Sequence, residues 1–284
     1  MAKRVAIIGT AGSWVDTPWN DPSLECWSLN DGYMCRDAKG LGFQRISRWY
    51  ELHPLDKMWF RPRDAKVVYA NQVPKGAYVR PEGHLEWLKT QAQTIPVYLQ
   101  GEPPAGWPVN AKRFPIEEIE SRFGKYWGDQ PYWASGPSYM VAQAILEGAT
   151  EIAVYGIHLS TQAEYLEQRP NFEHILGIAK GLGVKVTMAK SSPLLKHPWK
   201  YGYEPKPIQV VPPQIESARK ELQQVRQERS TLSQQLVTWP RFKSKAPQLK
   251  RLRDLDLLET DLAQTISRFH AESGVIAIGG PAHA

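Results

Sequence analysis

Apolar positions along the first two-thirds of the chain fall into short runs of the kind a parallel sheet buries on both faces. Val5-Ala6-Ile7-Ile8 is one, ended by Gly9, and Glu25 to Leu29 is a second, ended by Asn30-Asp31. Ile46 to Leu52, Pro96 to Leu99, Glu151 to Tyr155 and Val184 to Met188 have the same strand character. Between them the spacing lengthens to three and four. Ser138 to Glu147 sets Tyr139, Ala142, Ala144, Ile145 and Leu146 around an apolar helix face, with Ser135 as N-cap and Gly148 as stop. Phe172 to Leu182 repeats the pattern, with His174 at the start of that helix and Ser160 to Pro170 as a polar loop before it. This alternation predicts an α/β fold over residues 1–196, a Rossmann-like parallel sheet flanked by helices.

The pattern then changes twice. Residues 197–213 carry five prolines, Pro198, Pro205, Pro207, Pro212 and Pro213, and read as an extended linker. From there Ile215, Ala218, Leu222, Val225, Arg229, Leu232 and Leu236 form a heptad seam with one charged interruption. After a break at Trp239-Pro240 and Pro247, the residues Leu249, Leu252, Leu255, Leu258, Leu262, Ile266 and Phe269 continue it. Residues 214–271 are therefore expected to be an antiparallel helical hairpin whose stripes pack on each other and the main domain or on another subunit, giving a homo-oligomer. Residues 272–284 form a small, apolar tail.

Composition narrows the classes. Of 284 residues 42% are apolar, enough for a substantial core. Cys26 and Cys35 are too few for a disulfide scaffold and lack the spacing of a zinc site, so reduced thiols and a cytoplasmic location are expected. Four apolar residues after Lys3-Arg4 fall short of a signal peptide, and no window approaches a membrane span. The net charge of +6 favours an anionic partner: a nucleotide, a phosphate or a nucleic-acid backbone. The 11 Trp and 12 Tyr against 7 Phe favour aromatics with a polar handle, which suit clefts as well as cores.

Chemistry-bearing residues gather at the expected carboxyl ends of the strands, where open α/β sheets bind ligands. The turn Gly9-Thr10-Ala11-Gly12-Ser13 can bring amides and a hydroxyl to an anion, although it is neither G-x-G-x-x-G nor a Walker loop. Asn30 and Asp31 end the second strand beside it, where a ribose or base would lie. Ser135-Gly136 opens a helix, and Tyr155-Gly156-Ile157-His158 ends a strand. His53 and His174 are candidate general bases. No His/Cys cluster suggests a metal, and Asp254 and Asp256 diverge by about 200° on a helix, too far to chelate one ion.

The order VAIIGTAGS, CWSLNDGY, WYELHP, ASGPSYMVAQAILEGATEIAVYGIHL, EHILG and VKVTMAKSSPLLK resembles the bacterial sialyltransferases of glycosyltransferase family 42. It also resembles uncharacterised phage-encoded proteins of similar length. The likeness covers roughly the first two-thirds of the chain and is one of motif order. It implies a nucleotide-sugar-binding Rossmann-like domain acting without a metal or other cofactor, in the host cytoplasm if phage-encoded. It further implies that Gly9 and Thr10 touch phosphates or ribose, that Asn30 holds the nucleotide or sugar, and that Ser135 with Gly136 contacts the cytidine monophosphate portion. Tyr165 falls near a tyrosine that bonds the leaving phosphate, whose partner tyrosine is replaced here by Ser160. His174 matches the base, His53 replaces an asparagine before proline, and Tyr132 replaces an arginine. The expected activity is a metal-independent, nucleotide-sugar-dependent glycosyltransferase with His174, or else His53, as base and Tyr165 assisting departure. The alternative is a non-catalytic nucleotide- or nucleic-acid-binding phage accessory protein assembling through its hairpin, whose basic Arg241, Lys243, Lys245, Lys250, Arg251 and Arg253 could meet DNA phosphates.

Overall fold

The computed structural model describes residues 2–62, 72–128, 130, 132–160, 163–197, 199–204, 213–237 and 245–272. Side chains are described for these except 163–166, 213, 237, 264 and 267–272. The chain divides into two compact units, Met1–Leu195 and Lys196–Ala284.

The first unit is built on strands β1 (Lys3–Ile8), β2 (Leu24–Leu29), β3 (Arg48–Glu51), β6 (Val97–Leu99), β7 (Ala111–Arg113), β8 (Ala149–Tyr155) and β9 (Lys185–Met188). They form one sheet in the order β7-β6-β3-β2-β1-β8-β9, every pair parallel. Ala6 of β1 stands level with Cys26 of β2 on one side and Ala153 of β8 on the other. Two short strands, β4 (Met58–Arg61) and β5 (Tyr78–Pro81), pair in parallel as a separate sheet. All six runs read as strands in the sequence are strands. The sequence did not reveal β4, β5 and β7, which are three or four residues long and lack a run of buried apolar positions: β4 has no fully buried residue, β5 buries only Arg80 and Pro81, and β7 buries only Ala111.

Alternation along the strands separates two cores. Val5, Ile7, Trp27, Leu29, Tyr50, Ile152 and Val154 face helices α2 (Ile116–Phe123), α3 (Gly136–Leu146) and α4 (Ala163–Gly181). The opposite faces of β1 and β2, with Ala6, Ile8, Leu24 and Cys26, meet Trp14, Trp19 and Phe43. Beside them Trp49, Val97 and Leu99 meet Leu88 and Ala92 at α1 (His84–Gln91). Between β1 and β2 the chain makes a five-residue 3-10 turn, Gly12–Asp16. Bulky rings do there what a helix does elsewhere: Trp14 lies edge-on 5.1 Å from Phe43, and Trp19 is 5.6 Å from it. Part of the tryptophan excess is thus structural.

Helix α4 departs from expectation. It begins at Ala163, so the stretch expected to be a polar loop is largely helical, with Pro170 inside it and His174 well within rather than at its start. The buried Asn171, Phe172, Ile175, Leu176 and Ala179 anchor the helix, and packing of that face overrides the local cost of a proline.

In the second unit α5 (Pro213–Val237) and α6 (Ala246–Glu272) run antiparallel: Arg226 pairs with Glu259, and Arg229, further along α5, reaches back to Asp256. Ala218, Leu222, Val225 and Leu232 pack against Leu255, Leu258, Leu262 and Ile266. The charged interruption of the seam, Arg229, is answered by both Asp256 and Glu259. Of the basic hairpin residues, Arg251 is paired with Glu228, Lys245 donates to the Leu236 carbonyl, and Arg241 and Lys243 lie outside the described residues. Most of the proline-rich linker (198 and 205–212) and the tail from 273 also lie outside them. No helix among the described residues is long and apolar enough to cross a membrane.

Candidate functional site

Strand order reverses between β1 and β8: β2, β3, β6 and β7 lie to one side of β1, and β8 and β9 to the other. The loops leaving such a pair diverge and open a crevice at the carboxyl edge. Here they are tied together at their base. The Gly9 amide donates to the Tyr155 carbonyl at 2.9 Å, and the Ala11 amide to that of Gly156 at 2.8 Å. A Cβ on Gly9 would lie 2.4 Å from the Gly156 carbonyl oxygen, and one on Gly156, whose φ is +62°, would lie 2.4 Å from that of Gly9. Only glycine fits at both positions.

Ser13 is buried, and its hydroxyl accepts the Gly156 amide at 2.9 Å and lies 2.8 Å from His158 Nε2. The group expected to face an anion is therefore used to join the loops, as is the Gly9 amide. Thr10 and Gly12 are exposed, and among the described residues their amides make no bond to backbone carbonyls. Cys35 lies below this loop, its Sγ 3.9 Å from the Thr10 carbonyl. Burial, and then the Asp31 carboxylate, push its thiol up to about 11, which disfavours the nucleophilic thiolate at neutral pH.

Asn30 ends β2 with φ at +55°, a left-handed conformation uncommon outside glycine. Its amide donates to the Tyr50 carbonyl and its carbonyl accepts from Trp49 Nε1, whereas its half-buried side chain has no hydrogen-bond partner among the described residues. Asp31 is half-buried and opens a 3-10 turn, Gly32–Met34. The α3 N-terminus comes down beside β2, where a Cβ on Gly136 would meet Leu29 Cδ1 at 3.1 Å. Ser135 occupies the N-cap position without capping: its buried hydroxyl pairs with that of Ser138 at 2.8 Å, which donates to Asn171 Oδ1 at 2.5 Å. Asn171 also accepts the Ala134 amide and donates to the Tyr132 carbonyl, pinning the segment before α3 to α4.

The two candidate histidines are equipped differently. His174 is exposed on α4, 5.5 Å from the Trp127 ring and 5.8 Å from that of Tyr132, with no hydrogen-bond partner among the described residues. His53 follows β3, and its Nδ1 lies 2.5 Å from Oε1 of Glu51, which is wholly buried at that strand's end. The other Glu51 oxygen accepts from Arg80 Nε at 2.9 Å and His84 Nε2 at 2.8 Å. His84, also wholly buried, meets the Tyr33 hydroxyl through Nδ1 at 3.1 Å. Burial alone would raise the Glu51 carboxyl, but hydrogen bonds from His53, His84 and Arg80 and the Arg80 charge outweigh it and hold the group well below the ordinary carboxylate range. The cluster was not foreseen, although a carboxylate inside the apolar run Trp49-Tyr50-Glu51-Leu52 is a signal of a buried, paired charge. Arg80 and His84 come from a stretch without strong periodicity. Tyr165 lies on α4 with its side chain outside the described residues, and Ser160 precedes residues that are themselves outside them.

No family model and no curated protein matches the sequence. Among solved structures, the sialyltransferase CstII from Campylobacter jejuni in complex with cytidine-5'-monophosphate matches with a TM-score of 0.37 at 15% identity, covering 75% of this chain and 96% of that one. The same enzyme with CMP-3FNeuAc gives 0.35 at 16% identity over the same shares. A complex of CST-II with a trisaccharide acceptor and CMP gives 0.35 at 16%, covering 66% and 81%. At these values the likeness assigns neither substrate nor activity to this chain.

Proposed function

We propose that the first unit is a glycosyltransferase that takes a nucleotide-sugar donor without a metal ion. The observation that carries this reading is the convergence at one sheet edge, around the β1/β8 reversal, of Thr10 and Gly12, the left-handed Asn30 and the α3 N-terminus at Gly136. Exposed amides and a helix N-terminus suit the phosphates of a donor, and the Asn30 side-chain carboxamide, without a hydrogen-bond partner among the described residues, suits its sugar or base. The motif order shared with family 42 supports transfer over simple nucleotide binding.

In such a reaction the acceptor hydroxyl attacks the anomeric carbon. A C–O bond forms there while the bond to the phosphate oxygen breaks, its electron pair leaving with the nucleotide. The acceptor proton passes to a base, for which His174 and His53 are the candidates, and the amides at Thr10, Gly12 and Gly136 stabilise the departing phosphate. Tyr165 is proposed to assist there.

Incubation with a panel of nucleotide sugars tests the reading. Donor hydrolysis or transfer dependent on one nucleotide is expected. Failure of every donor to turn over, together with failure of every nucleotide to bind, would sink it.

A further inference from the structure

We propose that Glu51 is a positioning residue that holds the His53 imidazole in its Nδ1–H form and so makes Nε2 the ring atom that exchanges protons. The inference rests on the transferase reading only for the identity of the reaction; its geometry stands apart from it.

Two neighbours compete for Nδ1. Glu51 Oε1 is 2.5 Å away and Arg80 Nη2 is 2.6 Å away, yet the nitrogen has a single in-plane position to offer. If Nδ1 were bare, its lone pair would face a full carboxylate charge, wholly buried, where repulsion is little screened. With a proton on Nδ1 the same contact becomes a short charge-assisted hydrogen bond. Arg80 does not need Nδ1: its Nε donates to Oε2 at 2.9 Å, its Nη2 has Oε1 at 3.3 Å, and its Nη1 donates to the Val79 carbonyl. The main-chain amide of His53 also points to Oε1 at 3.3 Å, so the carboxylate sets both the ring and the backbone that carries it.

Among the described residues the groups facing this imidazole are Glu51 from β3 and Arg80 and Tyr78 from β5, the Tyr78 ring lying 4.1 Å away; His84 of α1 reaches the same carboxylate from beyond. Nε2 has no partner among the described residues, and the side chain is 28% exposed. A carboxylate behind one nitrogen, with the second nitrogen unpaired among the described residues, is the arrangement that orients a base and stabilises the imidazolium formed when it takes a proton. Among the described residues His174 has aromatic neighbours and no such carboxylate.

Long-range proton–nitrogen correlation spectra of the full chain labelled with 15N-histidine, with His53 assigned by loss of its signals in His53→Gln, read the tautomer directly. The neutral ring of the unaltered protein is expected to carry its proton on Nδ1, and Glu51→Gln to shift it toward Nε2–H. An Nε2–H ring in the unaltered protein, with Nδ1 accepting from Arg80, would overturn the proposal. If Glu51→Gln does not fold, the unaltered spectrum decides alone. With a donor that turns over, His53→Gln is expected to lower kcat by about 10²–10⁴-fold with little change in KM; a change confined to KM overturns the proton-exchange role. A protein that turns over no donor loses the transferase reading, while the tautomer remains measurable.

Discussion

Gly9 and Gly156 meet backbone to backbone, and that contact sets how closely the first and eighth strands' loops approach. Gly156→Ala adds a Cβ against the Gly9 backbone at a positive φ. It is expected to cost about 1–3 kcal/mol or more in urea unfolding, the range for forced overpacking. Gly12, three residues from Gly9, has open space around a would-be Cβ. Gly12→Ala is expected to stay within about 0.5 kcal/mol of the unaltered protein. Equal effects at the two sites would contradict the tied-loop geometry. Glu51 makes a second residue-scale expectation. Its folded pKa lies below its unfolded value of about 4.3, so the unfolded chain takes up this proton first as pH falls. The stabilisation is complete above that value and is lost as the pH drops from it toward the folded value. Urea midpoints measured between neutral pH and pH 3 should therefore fall on acidification, and Glu51→Gln should remove part of that dependence while lowering stability at neutral pH. An unchanged acid slope in the variant would show that the carboxylate is not the paired anion the geometry describes.

At the scale of elements, the hairpin separates packing from charge. Leu255 is buried at the seam, and Leu255→Ala is expected to cost about 2–5 kcal/mol of that unit's stability. The Arg229 side chain is 45% exposed, so Arg229→Ala is expected to cost less than about 1 kcal/mol despite its two acidic partners. Amide hydrogen exchange along α5 measures both, and a larger loss at Arg229 would mean that the ion pairs, not the seam, hold the helices together. The same elements show what a sequence reveals. The seam from Ala218 to Ile266 and the strands β1, β2 and β8 are legible because their apolar spacing is a direct consequence of which face is buried. Helix α4 is legible only from Phe172 onward, because Pro170 is a local break signal that buried Asn171 and Phe172 overrule through contacts distant in sequence. The site divides in the same way. Gly9, Asn30 and Gly136 could be placed at strand ends and a helix start from local pattern. The Glu51 cluster could not, since Tyr33, Glu51, Arg80 and His84 meet only after three separate segments have folded around β3. The spending of the Ser13 hydroxyl on Gly156 is equally invisible before β1 and β8 are known to be neighbours.

At the scale of the first unit, the sheet brings the proposed site residues to one edge and packs aromatic rings in the layers beneath. Trp14, Trp19 and Phe43 close the face where no helix crosses between β1 and β2, and Tyr33 stacks on Trp87 at 4.0 Å beside the Glu51 cluster. The two units each have their own core, and every residue proposed to touch the donor belongs to the first. A chain ending at Leu195 is therefore expected to bind nucleotide within about threefold of the full protein, under ~1 kcal/mol by equilibrium titration. A loss of tenfold or more would place part of the site in the helical unit. The central claim, a nucleotide site at the β1/β8 edge, is tested most directly by thermal unfolding of the full chain against a panel of nucleotides, in the unaltered protein and in Asn30→Ala. One base is expected to stabilise the native state, by about 2.7 kcal/mol at 100 times its dissociation constant, with the gain reduced in the variant. Absence of stabilisation by any nucleotide, or an equal gain in Asn30→Ala, would contradict it.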